Sequence, residues 1–187
     1  NYHKGYSLTS LSVVHDRKHA MEVGFYDYNI RSTDWENLLK LILGRKVGFI
    51  NRFVGVWRRH GSSATFKQDI DLDLQNIAYI DSPYRYALSI RAFPPDVLSL
   101  WRRRMLKRYF VQIIVRTLLM RNRGHEKAIM DYLKANEREV YRSIVLDPRF
   151  TALRLSILWS RPVSYFVFKH ILKQESFIKD YEYIPGA

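Results

Sequence analysis

The stretch Thr33-Asp34-Trp35-Glu36-Asn37-Leu38-Leu39-Lys40-Leu41-Ile42 carries the clearest structural signal in the chain. Thr33 followed three residues later by Glu36 fits a capping box, with Thr33 as the N-cap and Glu36 at N3. Trp35, Leu38, Leu39 and Ile42 then recur at i, i+3, i+4 and i+7, the spacing of one helix face. Gly44 is placed to end that helix, followed by Arg45 and Lys46. Upstream, Tyr6 to Val14 has strand character, and a short helix around His19 to Val23 runs into the loop Gly24-Phe25-Tyr26-Asp27. Downstream, Val47-Gly48-Phe49-Ile50 and Phe53-Val54-Gly55-Val56-Trp57 read as two short strands turned at Asn51-Arg52. Arg58-Arg59-His60-Gly61-Ser62-Ser63 reads as a basic loop.

The rest of the chain changes character. Asp69-Ile70-Asp71-Leu72-Asp73-Leu74 alternates strictly and fits either an exposed strand or a helix start. Pro94-Pro95 breaks the chain. From Asp96 onward the pattern is helical. Leu98, Trp101, Met105, Tyr109 and Ile113 form a stripe, Arg103, Arg104, Lys107 and Arg108 lie on another arc, and Gly124 is expected to end the segment. A second helix is expected from Glu126 to Val145. Asp147-Pro148 gives an N-cap and N1 pair for a third. Arg161-Pro162 opens an apolar and aromatic segment to about Lys173.

Composition bounds what such a chain can do. Its 187 residues fit one domain or slightly more. Lys and Arg number 31 against 18 Asp and Glu, a net charge of +13, which points to an anionic partner. The excess is uneven: residues 1–90 carry a net of +3 and residues 91–187 a net of +10. The absence of cysteine excludes disulfide scaffolds, thiolate nucleophiles and cysteine-ligated metals, and fits a reducing compartment. No apolar run of about 18 residues is present, so no conventional membrane span is expected. The chain starts at Asn1 without a signal-peptide pattern and reads as a piece of something longer.

Four segments, in order, carry a resemblance to the second half of the catalytic domain of family 2 glycosyltransferases. They are Leu11-Ser12-Val13-Val14-His15-Asp16-Arg17, Gly24-Phe25-Tyr26-Asp27, Thr33 to Leu41, and Val56-Trp57-Arg58-Arg59-His60-Gly61-Ser62-Ser63. In the family these match a strand running into a positive turn, a G-F-D-E loop, an E-D-W-E helix start and a Y-R-x-H-x-x-S segment. The match covers roughly 55 residues. Thr33 departs from the usual Glu, and Trp57 stands where Tyr is common. The family's nucleotide-binding unit and its D-x-D metal motif are not matched. The resemblance implies an α/β fold, the C-terminal half of a GT-A domain over 1–68, then a connecting segment 69–95 and a mainly α-helical basic extension over 96–187. It implies inverting transfer of a sugar from a nucleotide-sugar donor to a hydroxyl of a glycan or lipid-linked acceptor, assisted by Mg²⁺ or Mn²⁺. The implied location is cytoplasmic, with a peripheral place at the inner face of the cytoplasmic membrane. The missing nucleotide-binding half would have to be supplied by other residues.

On this reading Asp34 is the catalytic base, because inversion needs a carboxylate within hydrogen-bond reach of the acceptor hydroxyl. A helix N-terminus favours negative charge there, and by the same token Asp34 could serve the helix alone. Trp35 fits either the core or a platform for a sugar face. His15 and Arg17 fall where the family contacts donor or acceptor. Arg58, Arg59 and Ser62 are placed for the diphosphate, and His60 for the diphosphate or the metal; a solvated basic turn is the alternative. Asp69, Asp71 and Asp73 have D-x-D spelling but follow the base instead of preceding it, and read as a solvated segment. His3, His19, His125 and His170 lack metal-ligand spacing and read as structural or surface residues.

The helix from Asp96 to Arg123 admits three readings. It could pack on the rest of the chain with its cations in water. It could lie on an anionic membrane face with Trp101, Met105 and Tyr109 turned down. It could bind nucleic acid, although no motif for that is present and no nucleic-acid partner is expected. A non-catalytic basic helical module, binding an anionic membrane or an acidic partner, is thus the alternative to the enzyme.

Overall fold

The computed structural model describes residues 13–48, 69–159, 163 and 166. Every regular element among them is a helix: α1 (Arg17–Glu22), α2 (Thr33–Leu41), α3 (Ile70–Gln75), α4 (Ala78–Ser89), α5 (Pro95–Leu119), α6 (Arg123–Asn136), α7 (Arg138–Val145) and α8 (Pro148–Trp159). The α/β expectation is therefore corrected to a mainly helical protein. Val47 and Gly48 form no strand, and the other expected strand residues lie outside the described set, apart from Val13 and Val14, which precede α1 without strand pairing. The alternating Asp69–Leu74 segment is helical for a local reason. Asp69 Oδ1 accepts the amides of Asp71 (3.0 Å) and Leu72 (3.1 Å), which satisfies the free donors of a helix start.

The chain divides into two compact units, one of residues 1–58 with 75–99 and the other of 59–74 with 100–187. In the first unit, α1 and α4 both pack on α2. Asp16 Oδ1 caps α1 through the amide of His19 at 2.7 Å. Gly24 closes α1 in the left-handed region (φ 71°), with Phe25 N–H donating to Ala20 O (3.1 Å) and Gly24 N–H to Met21 O (3.3 Å). Ala20, Val23 and Leu41 form a small core there, with Phe25 and Tyr86 packed against it.

The capping box at α2 is also corrected. Ser32, not Thr33, is the N-cap, and no side chain caps it. A residue far along the chain has displaced the local motif: Asn76, buried, accepts the Ser32 amide (2.7 Å) and donates to Ser32 Oγ (3.0 Å). Thr33 Oγ donates back to Tyr28 O (2.7 Å), and Glu36 turns inward. Past the C-cap at Ile42, Gly44 takes the left-handed backbone (φ 69°).

In the second unit the buried residues of α5 are Leu106, Tyr109, Phe110, Ile113, Ile114, Val115, Thr117 and Leu118. Of the expected stripe, Leu98, Tyr109 and Ile113 are buried, while Trp101 and Met105 are only half-buried. Each fully buried large apolar side chain of α5 in the second unit stabilises that unit by about 1.5–3 kcal/mol. The helix ends at Leu119 and not at Gly124. Arg121 adopts φ 55°, and Asn122 N–H donates to Thr117 O (3.0 Å) and Arg121 N–H to Leu118 O (3.0 Å), a Schellman closure with arginine at the position that favours glycine. Gly124 falls in the first turn of α6.

The single helix expected over 126–145 is two, broken at Glu137 (φ −131°, ψ 57°). Glu137 is held from outside its own helices by both guanidinium nitrogens of Arg102, at 2.6 and 3.3 Å. The N-cap at Asp147 forms as the sequence indicates, with Oδ1 accepting the Arg149 amide at 3.0 Å. Its other oxygen accepts from Lys107 Nζ at 2.9 Å, which holds the Asp147 carboxyl below its ordinary range against an opposing effect of burial.

A lowered native value means that this pair stabilises the fold above the unfolded carboxyl value of about 3.9 and that the gain is lost as pH falls through the lowered one. Asp147→Asn should cost about 1 kcal/mol or less at neutral pH, since the pair is partly exposed. In urea unfolding that difference should shrink toward zero by about pH 2.

Candidate functional site

Two of the expected site residues, Asp34 and Trp35, lie at the start of α2. Six consecutive α2 residues, Glu36 to Leu41, are buried. An amphipathic helix would bury one face; this one is enclosed on all sides, so its polar side chains must find partners inside. Lys40 Nζ donates to Glu36 Oε1 at 2.8 Å and to Gly24 O at 2.9 Å. Ser82 Oγ, from α4, donates to the same Glu36 oxygen. Glu36 is 0% exposed and Lys40 3%. Asn37 Oδ1 accepts the amide of Tyr26 at 3.0 Å.

These bonds tie the Gly24–Asp27 loop to α2. The loop itself is tight. Tyr26 takes φ 64°, and a Cβ on Gly24 would come within 1.9 Å of Asp27 Oδ2. Position 24 favours glycine for its left-handed backbone, while the exposed Asp27 carboxylate folded over it could swing aside. The structure thus joins the second and third of the four segments that carry the resemblance. Part of the first is joined as well, since the His15 ring lies 4.8 Å from that of Phe25, and Phe25 packs edge-on to Tyr26.

The expected site residues are placed as follows. Asp34 lies in the first turn of α2 and is half-buried; its Oδ1 accepts the Trp35 amide at 2.9 Å. Trp35 is half-buried. His15 is exposed beside the loop, and Arg17 is exposed at the start of α1. Among the described residues no hydrogen bond joins Asp34 to His15 or Arg17. Arg58, Arg59, His60 and Ser62 lie outside the described residues.

Among the described residues no three histidine, aspartate or glutamate side chains converge on one point. Asp69 is occupied as a helix cap, and Asp73 is buried against His125, whose Nε2 lies 3.0 Å from Asp73 Oδ2. Tyr109 Oη donates to Asp73 O at 2.6 Å, so this buried pair anchors α3 within the second unit. Asp73 is thus not the solvated residue that alternation suggests.

The basic arc of α5 is partly consumed. Arg103 pairs with Glu139 at 2.9 Å and Lys107 with Asp147, while Arg104 and Arg108 are exposed. Tyr109, expected to face a membrane, is 8% exposed. Among the described residues no helix is long and apolar enough to cross a membrane.

Sequence reasoning missed the Glu36–Lys40–Ser82 centre. The i, i+4 spacing of Glu36 and Lys40 was visible, but such pairs ordinarily lie on exposed faces. Comparison with known proteins finds no match: no family model, no curated protein and no solved structure resembles the chain.

Lys40→Met should leave the Glu36 carboxylate buried without its cation and cost about 3–5 kcal/mol in urea unfolding. Glu36→Gln combined with Lys40→Met retains the Ser82 partner and removes both charges. It should recover most of that loss. A Lys40→Met change within about 0.5 kcal/mol of wild type would show that the pair is not buried as described.

Proposed function

We propose that this chain carries the acceptor side of an inverting sugar transfer, with Asp34 as the base. The observation that supports it is the contrast between two carboxylates on one helix. Glu36 is enclosed and used by Lys40 and Ser82. Asp34, two residues earlier, is half-buried and makes no ion pair among the described residues, and its helix is the one to which the Gly24–Asp27 loop is pinned through Asn37 and Lys40. A base must be positioned and still reachable, and a carboxylate in the first turn of an anchored helix meets both needs.

In the proposed reaction the acceptor hydroxyl oxygen attacks the anomeric carbon of a nucleotide sugar. Its proton passes to an Asp34 oxygen, the new glycosidic C–O bond forms, and the anomeric C–O bond to the diphosphate breaks. The nucleoside diphosphate leaves with that electron pair from the opposite face. Trp35 is assigned to the acceptor sugar, and His15 and Arg17 to donor or acceptor contacts, by resemblance. Arg58, Arg59, His60 and Ser62 are assigned to the diphosphate by resemblance alone. The reading concerns the reaction and its base; a GT-A sheet is not part of it. The donor-binding half falls outside the segments matched here, so the 187 residues by themselves are not expected to turn over.

The test uses the polypeptide that carries this segment in its native source, with a panel of UDP- and GDP-sugars and a glycan and lipid extract of that source as acceptor. Asp34→Asn should leave donor binding by calorimetry unchanged and lower the transfer rate by about 10²-fold or more. Transfer at close to the wild-type rate would remove Asp34 from the role, and no transfer by the unaltered protein would remove the reaction.

A further inference from the structure

The second unit contains a cavity of about 220 Å³ that the transfer reading does not use. Its apolar wall is Leu118 from α5 with Ile157 and Leu158 from α8; its charged lining is Arg121, Arg123 and Glu126. Glu126 is buried and neutralised by Arg154 at 3.0 Å. Arg121 and Arg123, both exposed, therefore leave the cavity with a positive excess. Their position follows from the backbone. The left-handed turn at Arg121 ends α5, and α6 begins two residues later, so the two guanidinium groups sit at the N-terminus of a 14-residue helix, whose dipole also favours an anion.

The apolar wall continues onto the surface. Leu158 belongs to both, and on α8 it is 56% exposed, beside Leu155 at 62% and Trp159 at 84%. α8 contains no acidic residue, and it carries Arg149 and Arg154, both exposed. Exposed leucine and tryptophan next to a cationic cavity, in the part of the chain with a net of +10, match the layering of a bilayer surface. Phosphate is outermost, and the apolar boundary where tryptophan settles lies just below it. An acidic protein surface would meet the cations but leave Trp159, Leu155 and Leu158 facing charge.

The geometry points to a docking site for an anionic bilayer surface at the α5–α6–α8 corner. A lipid phosphate enters between Arg121 and Arg123, and Leu155, Leu158 and Trp159 enter the interface. This site is distinct from the arc of α5 cations and stands independently of the transfer reading.

The experiment is flotation of the full 187-residue chain with vesicles of phosphatidylcholine alone and of phosphatidylcholine mixed with phosphatidylglycerol. Binding should require phosphatidylglycerol and weaken with salt. Arg121→Asn with Arg123→Gln removes both charges while suiting a left-handed and a helical backbone respectively. It should weaken binding about thirtyfold, and Arg104→Gln with Arg108→Gln by about threefold or less. Tryptophan emission should shift to the blue on binding, and the shift should vanish in Trp159→Phe. Circular dichroism reports whether each variant keeps its helices. Four results would overturn the site: binding without anionic lipid, equal loss from the Arg104/Arg108 variant, a blue shift that persists in Trp159→Phe, or no flotation at all. The last would leave an acidic protein as the occupant.

Discussion

The ion pair between Glu36 and Lys40 is the constraint on which the first unit rests. Removing two charges from water is costly, and the attraction between them offsets that cost only when the remaining donors and acceptors are also met. Here Ser82 supplies a second donor to Glu36, and Gly24 O accepts a second hydrogen bond from Lys40. The accounting is incomplete on one side: Glu36 Oε2 and Asn37 Nδ2 are buried without a hydrogen-bond partner among the described residues. A centre of this kind is a poor source of stability and a strong selector of arrangement, because only one placement of α4 and of the Gly24–Asp27 loop satisfies it.

That arrangement separates the roles of the two acidic residues in the first turn of α2. Glu36 faces inward and holds the helix to α4 and to the loop. Asp34 lies toward the helix end, where Ser32 and Asn76 fix the entry of the chain. The proposed base thus rests on a helix held at its start by Asn76 and along its length by Lys40. The second unit uses a different means. Its core is mainly apolar with the Asp73–His125 pair buried in it, and its surface cations are tied to acidic residues on and beside α7, through Arg102 with Glu137 and Arg103 with Glu139, and to Asp147 at the head of α8 through Lys107.

Local signals in the sequence held where local physics decides. The helix of residues 33–41 forms where its apolar spacing indicates, and the short helix around His19, the helix onset at the Pro94-Pro95 break and the Asp147-Pro148 cap are set by neighbours within one turn. Signals failed where a distant partner intervened. Thr33 lost the N-cap to Ser32 because Asn76, 44 residues away, binds Ser32. The expected 126–145 helix breaks where Arg102, 35 residues away, binds Glu137. α5 ends at an arginine in a glycine conformation, which composition does not announce. The alternation over Asp69–Leu74 fits either an exposed strand or a helix start, and the Asp69 carboxylate decides for the helix. Of the candidate site, Asp34 and the glycine loop come from the resemblance. The buried lysine and its serine partner were not legible, because burial of a polar face depends on what packs against it.

The central claim is that the Gly24–Asp27 loop is fastened to α2, so that the helix start and the loop form one platform. The amide of Tyr26 reports on this most directly, since it donates to the Asn37 side chain across 11 residues. Residue-resolved hydrogen exchange by NMR measures its protection. The account predicts that the Tyr26 amide exchanges at least about a hundredfold more slowly than an open loop amide, with a protection that tracks the α2 amides. Exchange of Tyr26 at the open-loop rate while α2 stays protected would contradict it.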